Sequence, residues 1–285
     1  MSPSPPRSAR AGSPAFTSSR TRWPPDVTTR RLLAEDEPSP VSVLNPEGRS
    51  DFVLTADHAG RLIPRRLGDL DLPEHELTRH IAWDIGIAGV TERLSAAFDA
   101  PAVFQLYSRL VIDCNRGHGV DSSIPTISET TAIPGNTGLS AEDRADRQRE
   151  IFAPYHGAIR ALLDARAKAN KRTLLIAMHS FTPVFKGEQR RTEIGVLFNR
   201  DNRLARALLD VLHEEGDIVV GENDPYTVTD LSDYGIPMHG ERRGIPHVEL
   251  EIRQDLIGTP QGERHWADRL ARLLPLADDR MSRAL

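Results

Sequence analysis

The sequence predicts an α/β fold, a single three-layer domain in which a mixed, mostly parallel sheet is flanked by helices. Three observations carry that expectation. From about residue 50 onward, short apolar runs alternate with longer segments of helical periodicity, the pattern of a sheet covered by helices. Neither an internal repeat nor a composition break after that point marks a second domain. The 285 residues are enough for one large core.

Residues 1–40 stand apart. They are rich in Ser, Pro and Arg and lack apolar periodicity, so they cannot bury enough surface to offset their ordering entropy. They are expected to form a disordered extension, not a secretory leader, because the apolar h-region of such a leader is missing. Residues 41–285 are then the folded domain.

Along that domain, strands are expected at 51–57, 102–107, 109–114, 173–179, 193–198, 217–220 and 247–253. Helices fall between them. Ile81, Ile85, Ala88, Leu94 and Phe98 at near-helical spacing predict one or two helices over 74–98. Ser140 heads a long helix over 140–169, with Glu142 and Asp143 suited to its positive start. Two more are expected at 201–214 and 261–274. Three connections, 117–138, 180–192 and 222–244, are too long to be simple turns and begin where strands end. Ligands in open α/β sheets bind at that edge, so the three loops are candidates for one active-site rim.

Composition excludes several functions. A net charge of −5 with scattered cations gives no basic field for nucleic acid. No apolar run is long enough to span a bilayer, which predicts a protein that needs no membrane. The single cysteine, Cys114, precludes an internal disulfide, fits a reducing cytoplasm and sits in an apolar run as a buried structural thiol. There is no Gly-x-Ser-x-Gly elbow for a serine hydrolase and no glycine-rich phosphate loop.

What remains is chemistry at strand ends. His58 closes the run at 52–57, and His179 closes the run at 174–178. A lone histidine in such a place is more often a packing residue than a ligand; a pair suggests a metal, provided a third ligand exists. Asp57 should face away from His58 by strand alternation. Asp84, in Trp83-Asp-Ile-Gly86, is the better third ligand, although a cap or an ion pair would equally explain it. Glu249 and Glu251 share one face of their strand, where Arg253 could pair with one of them. Either glutamate beside a bound water would be a general base. Asn115 and Arg116, after the run 109–114, form an amide and guanidinium fork suited to a carboxylate.

These residues resemble the N-formylglutamate amidohydrolases, and more distantly the zinc carboxypeptidases and aspartoacylases. The resemblance covers about 50–258 and rests on ordered marks. They are Asp57-His-Ala-Gly60 with Pro64, Trp83-Asp-Ile-Gly86, Ser108-Arg-Leu-Val-Ile-Asp-Cys-Asn-Arg116, Met178-His-Ser-Phe-Thr-Pro183, Asn223-Asp-Pro-Tyr226 and Glu249-Leu-Glu-Ile-Arg-Gln254. It implies a phosphorylase/hydrolase-like sheet as in the zinc carboxypeptidases. It also implies a divalent metal, zinc by preference, on His58, Asp84 and His179, with Glu251 as general base. The carboxypeptidase group places its carboxylate ligand three residues after the first histidine, where this chain has Arg61.

The implied reaction is cleavage of N-formyl-L-glutamate to formate and glutamate in histidine breakdown. Asn115 and Arg116 would hold the α-carboxylate, and the side-chain carboxylate needs a further cation. Arg109, Arg190, Arg191, Arg242 and Arg243 are available, with Arg190 leading. Tyr226 or His239 would bond the oxyanion. Two alternatives are a related aspartoacylase- or carboxypeptidase-like hydrolase and a silent small-carboxylate binder, which Arg61 favours.

Overall fold

The structure is a computed structural model that describes Met1 and residues 30–117 and 119–284. The expected disordered extension lies outside the described residues over 2–29. The compact unit begins at Arg31, ahead of the boundary expected near residue 40. Leu32 is buried, the Leu32 and Leu33 amides donate to the Glu150 carboxylate, and the Tyr107 hydroxyl donates to the Pro38 carbonyl at 2.9 Å.

In chain order the strands are β1 (Val41–Leu44), β2 (Phe52–Ala56), β3 (Ala102–Gln105), β4 (Ile127–Ser128), β5 (Thr131–Ala132), β6 (Leu174–Phe181), β7 (Val184–Phe185), β8 (Glu188–Gln189), β9 (Ile194–Leu197), β10 (Val220–Glu222) and β11 (His247–Arg253). The helices are α1 (Glu74–Leu77), α2 (Ile87–Phe98), α3 (Ala141–Arg147), α4 (Ala153–Lys168), α5 (Arg203–Glu215) and α6 (Pro260–Ala284). The main sheet runs β1-β3-β2-β6-β11-β9-β10. Only the β1/β3 and β11/β9 pairs in it are antiparallel. The expected α/β class with a mixed, mostly parallel sheet is therefore what the chain adopts. Among the described residues no helix is long and apolar enough to cross a membrane.

Strand alternation sorts the two faces of the sheet. Phe52, Leu54, Leu174, Ile176, Val248 and Leu250 point into a core closed by α2, α5 and α6. Val53, Val103 and Leu175 point the other way, onto Ile159 and Leu163 of α4. The same period of two puts His179 on the second face of β6, and Glu249 and Glu251 on the second face of β11. The fold thereby delivers polar side chains to the carboxyl ends of the parallel strands.

Four elements depart from expectation. Residues 110–114 are buried, but 109–114 form turns and irregular backbone instead of a strand, so Asn115 and Arg116 follow a packed loop. Side chains satisfy its backbone in place of a ladder. The Asn136 amide donates to the Leu110 carbonyl at 2.8 Å, and Arg147 donates to the Val111 carbonyl at 2.9 Å. The edge strand β1 escapes the apolar pattern because its residues are half-buried or exposed. The expected strand at 217–220 overlaps β10 only at Val220. α6 continues past 274 through Pro275, because buried Ala277 and Met281 prolong its apolar stripe. The long helix headed by Ser140 forms as expected, with a full capping box between Ser140 and Asp143, and is continuous from α3 into α4 through a π-helical Gln148–Phe152.

Asn136 is fully buried. Besides its bond to Leu110 it donates to the Pro125 carbonyl at 2.8 Å and accepts from Arg147 at 2.6 Å. Asn136→Ala leaves those groups unpaired and should lower the unfolding free energy by about 2–4 kcal/mol in urea denaturation. A loss under about 0.5 kcal/mol would show that this loop does not depend on it.

Candidate metal and active site

The site is assembled where β2, β6 and β11 end. β2 stops at Ala56, and the chain turns through Asp57 and His58. Gly60 passes so close to the Leu106 carbonyl that any side chain there would collide with it. The Asp84 amide donates to the His58 carbonyl at 2.9 Å, bringing the segment before α2 against the histidine. Gly86 then takes a φ of 81° to open α2, a conformation that favours glycine. In the register of the sheet Glu251 lies beside His179.

Asp84 is the centre of the arrangement. Its Oδ2 lies 3.0 Å from His179 Nδ1 and 3.3 Å from His58 Nδ1, and all three side chains are almost fully buried. The other nitrogen of each ring faces a second carboxylate. His58 Nε2 is 2.8 Å from Asp113 Oδ1, and His179 Nε2 is 3.6 Å from Asp57 Oδ2. Burial would raise the Asp84 carboxyl, but His58 and His179 outweigh it and hold it far below the usual range. Burial depresses both imidazoles, and the surrounding carboxylates more than reverse this; His179 is drawn well above its ordinary value.

Among the described residues these acids are not fully balanced. Arg109 donates to Asp113 Oδ2 at 2.6 and 3.1 Å and to Asp84 Oδ1 at 3.4 Å, yet Asp57, Glu249 and Glu251 each keep a buried carboxylate oxygen with no hydrogen bond. Burial lifts the Glu249 and Glu251 carboxyls to about 8. His58, Asp84 and His179 present ligand atoms within 4.8 Å of one another. Two imidazoles and a carboxylate, each histidine with a carboxylate behind it, are a donor set that fits a divalent metal ion.

The cluster opens into a cleft of about 420 Å³. All three long loops line it, through Ser128 and Glu129, through Phe181 and Phe185, and through Tyr226 and Asp233. The hairpins β4–β5 and β7–β8 meet there, since Glu129 accepts from the Lys186 amide at 3.1 Å.

Of the residues singled out in the sequence, His58, His179, Glu251, Asn115, Arg116, Arg109 and Tyr226 line this cleft. Several are engaged differently from expectation. Asn115 Oδ1 accepts from the Tyr234 and Gly235 amides at 3.1 and 2.9 Å, and its amide donates to Asp233 at 3.2 Å, so its carboxamide secures the 222–244 loop. Arg116 turns one nitrogen to the Ser232 carbonyl and to Asp233. Arg190 is held beside the cleft, 4.6 Å from the Phe185 ring and 4.8 Å from the Tyr226 ring, donating to the Tyr226 hydroxyl at 2.8 Å. His239 is not among the lining residues; it is buried with its Nε2 2.9 Å from His156 Nδ1. Arg253 turns to Asp255 and to the carbonyls of residues 190–192 instead of pairing with a glutamate. Arg61 is exposed beside the Trp83 ring and Glu74. Cys114 is buried with its thiol pushed well up, as an inert structural thiol should be.

Sequence reading passed over Asp57 and Asp113, which back the two histidines. Strand alternation set Asp57 aside, but the strand ends before it and alternation no longer applies. Asp113 lies inside the segment quoted for the Asn115 and Arg116 pair, and only its contact with His58 gives it a role.

Residues 50–258 match the model of the N-formylglutamate amidohydrolase family. A crystal structure of a gene product from Agrobacterium tumefaciens superposes with a TM-score of 0.86 at 35% identity, covering 88% of this chain and 100% of that one. An N-formylglutamate amidohydrolase from Ralstonia eutropha shares the fold, with a TM-score of 0.64 at 18% identity, covering 87% of this chain and 100% of that one. Comparison with curated protein sequences gives no match.

The buried pair His156 and His239 predicts a pH response. Burial pushes His156 down to about 4, and burial together with His156 pushes His239 down to about 3. Their folded values lie below the unfolded value of about 6.5, so the unfolded chain binds more protons between them. Stability from this pair is present above about pH 6.5 and is lost as pH falls from there towards 4. Thermal melts of His239→Gln should show a shallower fall in Tm over that window than wild type. Parallel curves would remove the pair as a source of acid lability.

Proposed function

This chain belongs to the N-formylglutamate amidohydrolase family and is an amidohydrolase, and from that premise we propose that it hydrolyses N-acyl acidic amino acids with a divalent metal, N-formyl-L-glutamate being the substrate. The observation that carries this reading is the convergence of His58, Asp84 and His179 at the floor of a cleft that also exposes Glu251. Those three residues would hold the ion, and the mixed nitrogen and oxygen donor set favours zinc. When bound, such an ion supplies Lewis acidity to the acyl carbonyl and acidifies a water.

The chain's own residues would do the rest. Glu251, whose carboxyl burial pushes up, lines the cleft beside His179, where one carboxyl can both accept and return a proton. It takes a proton from the attacking water as the oxygen bonds to the formyl carbon. It then gives that proton to the departing nitrogen as the C–N bond breaks, leaving formate and glutamate. Arg190 is the cation proposed for a substrate carboxylate. Its rings and the Tyr226 hydroxyl hold the fork in place, which reduces the ordering cost of a bidentate bond. Arg116 is the cation proposed for the second carboxylate. Asn115 supports it by anchoring the loop that carries Asp233, and Arg109 is assigned to orienting Asp113 and Asp84.

Formate release should require a divalent ion, stop on chelation and resume on readdition. Glu251→Gln should reduce kcat by about 10²–10⁴-fold with metal content unchanged. Full activity in metal-stripped protein would discard the metal role, and near-normal turnover of the variant would discard Glu251 as base. Arg190→Ala should erase the preference for N-formylglutamate over N-formylglutamine, a change of about tenfold to hundredfold in kcat/KM. An intact preference would place the carboxylate elsewhere.

A further inference from the structure

We propose that Tyr155 is a positioning residue for the metal cluster, acting from α4 through Asp57 to fix the orientation of His179. The inference rests on the metal reading of His58, Asp84 and His179. Tyr155 lies on α4, fully buried, and its hydroxyl donates to Asp57 Oδ1. The second oxygen of that carboxylate is the one 3.6 Å from His179 Nε2. The far side of the same imidazole carries Nδ1, 3.0 Å from Asp84 Oδ2. Hydroxyl, carboxylate and imidazole thus form a line from a helix beneath the sheet to the floor of the cleft.

The chemistry of a ligating imidazole gives this line its purpose. A neutral ring has one N–H and one lone pair, and Nδ1 can ligate only if the proton is on Nε2. That proton then faces Asp57. A carboxylate left to itself turns readily about its last torsion and would offer its oxygens over a range of directions. The Tyr155 hydroxyl holds Oδ1, which leaves Oδ2 aimed at His179.

The two histidines differ in how their carboxylates are secured. Asp113 behind His58 is held by the Arg109 guanidinium and by the Asn115 amide at 2.9 Å. For Asp57, the bond from Tyr155 is the only hydrogen bond among the described residues. Tyr155 is itself locked in place. It packs in the apolar layer with Ile151 and Ile159, and its ring meets His156 at 5.0 Å. His156 in turn is 2.8 Å from the Cys114 carbonyl, next to the residue that orients His58. Adjacent residues of one helix therefore underpin both histidines. A phenylalanine would fill the same space, so the hydroxyl is the part with a specific task.

The test uses the full chain and Tyr155→Phe, with zinc affinity measured by competition with a chromophoric chelator and cobalt(II) loaded as a spectroscopic probe. Loss of a partner behind a ligating histidine typically weakens binding about tenfold to hundredfold, and that is the expected change in Kd. The cobalt visible spectrum should shift as the His179 ring is freed, with the far-ultraviolet circular dichroism showing that the variant is folded. Asp57→Asn should reproduce the effect, and the double variant should be little worse than either single one, since both act through one line. A wild type that binds neither ion overturns the metal reading itself. A wild type that binds them, with Tyr155→Phe matching it in affinity and spectrum, overturns the role of Tyr155 alone. Additive losses in the double variant would also sever the line from Tyr155 to Asp57.

Discussion

The structure depends on one buried carboxylate, Asp84, held between the imidazoles of His58 and His179. An isolated charge in a protein interior is strongly disfavoured, so a buried acid must have partners on every side. The imidazoles supply two of them and the Ser180 amide, at 3.3 Å, a third. Each imidazole then needs its own partner, which brings in Asp57 and Asp113, and Asp113 needs Arg109. One anchored charge thereby recruits a shell of side chains from the turn after β2, from β6 and α4, and from the 107–116 segment.

That shell explains how the cleft keeps its shape. The Asn115 carboxamide and the Arg116 guanidinium hold the 222–244 loop from one side, and the Glu129 carboxylate reaches the Lys186 amide from the other. The Arg253 guanidinium, at the end of β11, bonds the carbonyls of the segment that carries Arg190. The loops of the rim are thus tied back to the same strand ends that present the candidate ligands. An amidohydrolase benefits from this, because a reacting amide must be held in a fixed geometry against its base.

The alternating pattern of apolar runs and amphipathic segments was enough to read the α/β class and most helices and central strands. It failed where burial was not strand-like. The run 109–114 is as apolar as a strand, but Asn136 and Arg147 satisfy its carbonyls in place of neighbouring strands, and those residues come much later in the chain. Asn115 was read as half of a carboxylate fork because it precedes an arginine. Its carboxamide is instead engaged by backbone amides more than a hundred positions away. His239 looked like a loop histidine and is buried against His156, a pairing that no local pattern announces.

By itself the sequence determined the order of His58, Asn115, Arg116, His179 and Glu251 and set His58, His179 and Glu251 on or just past apolar strands, since order and strand periodicity are local properties of the chain. Only the tertiary structure decided which of them meet. It brought Asp84 between a histidine on β6 and one in the turn after β2, set Asp57 and Asp113 behind them, and directed Arg116 towards Asp233 and Arg190 towards aromatic rings. The physical reason is that partners for a buried charge are chosen by proximity in space, which long-range packing of the sheet and its helices sets and spacing along the chain does not.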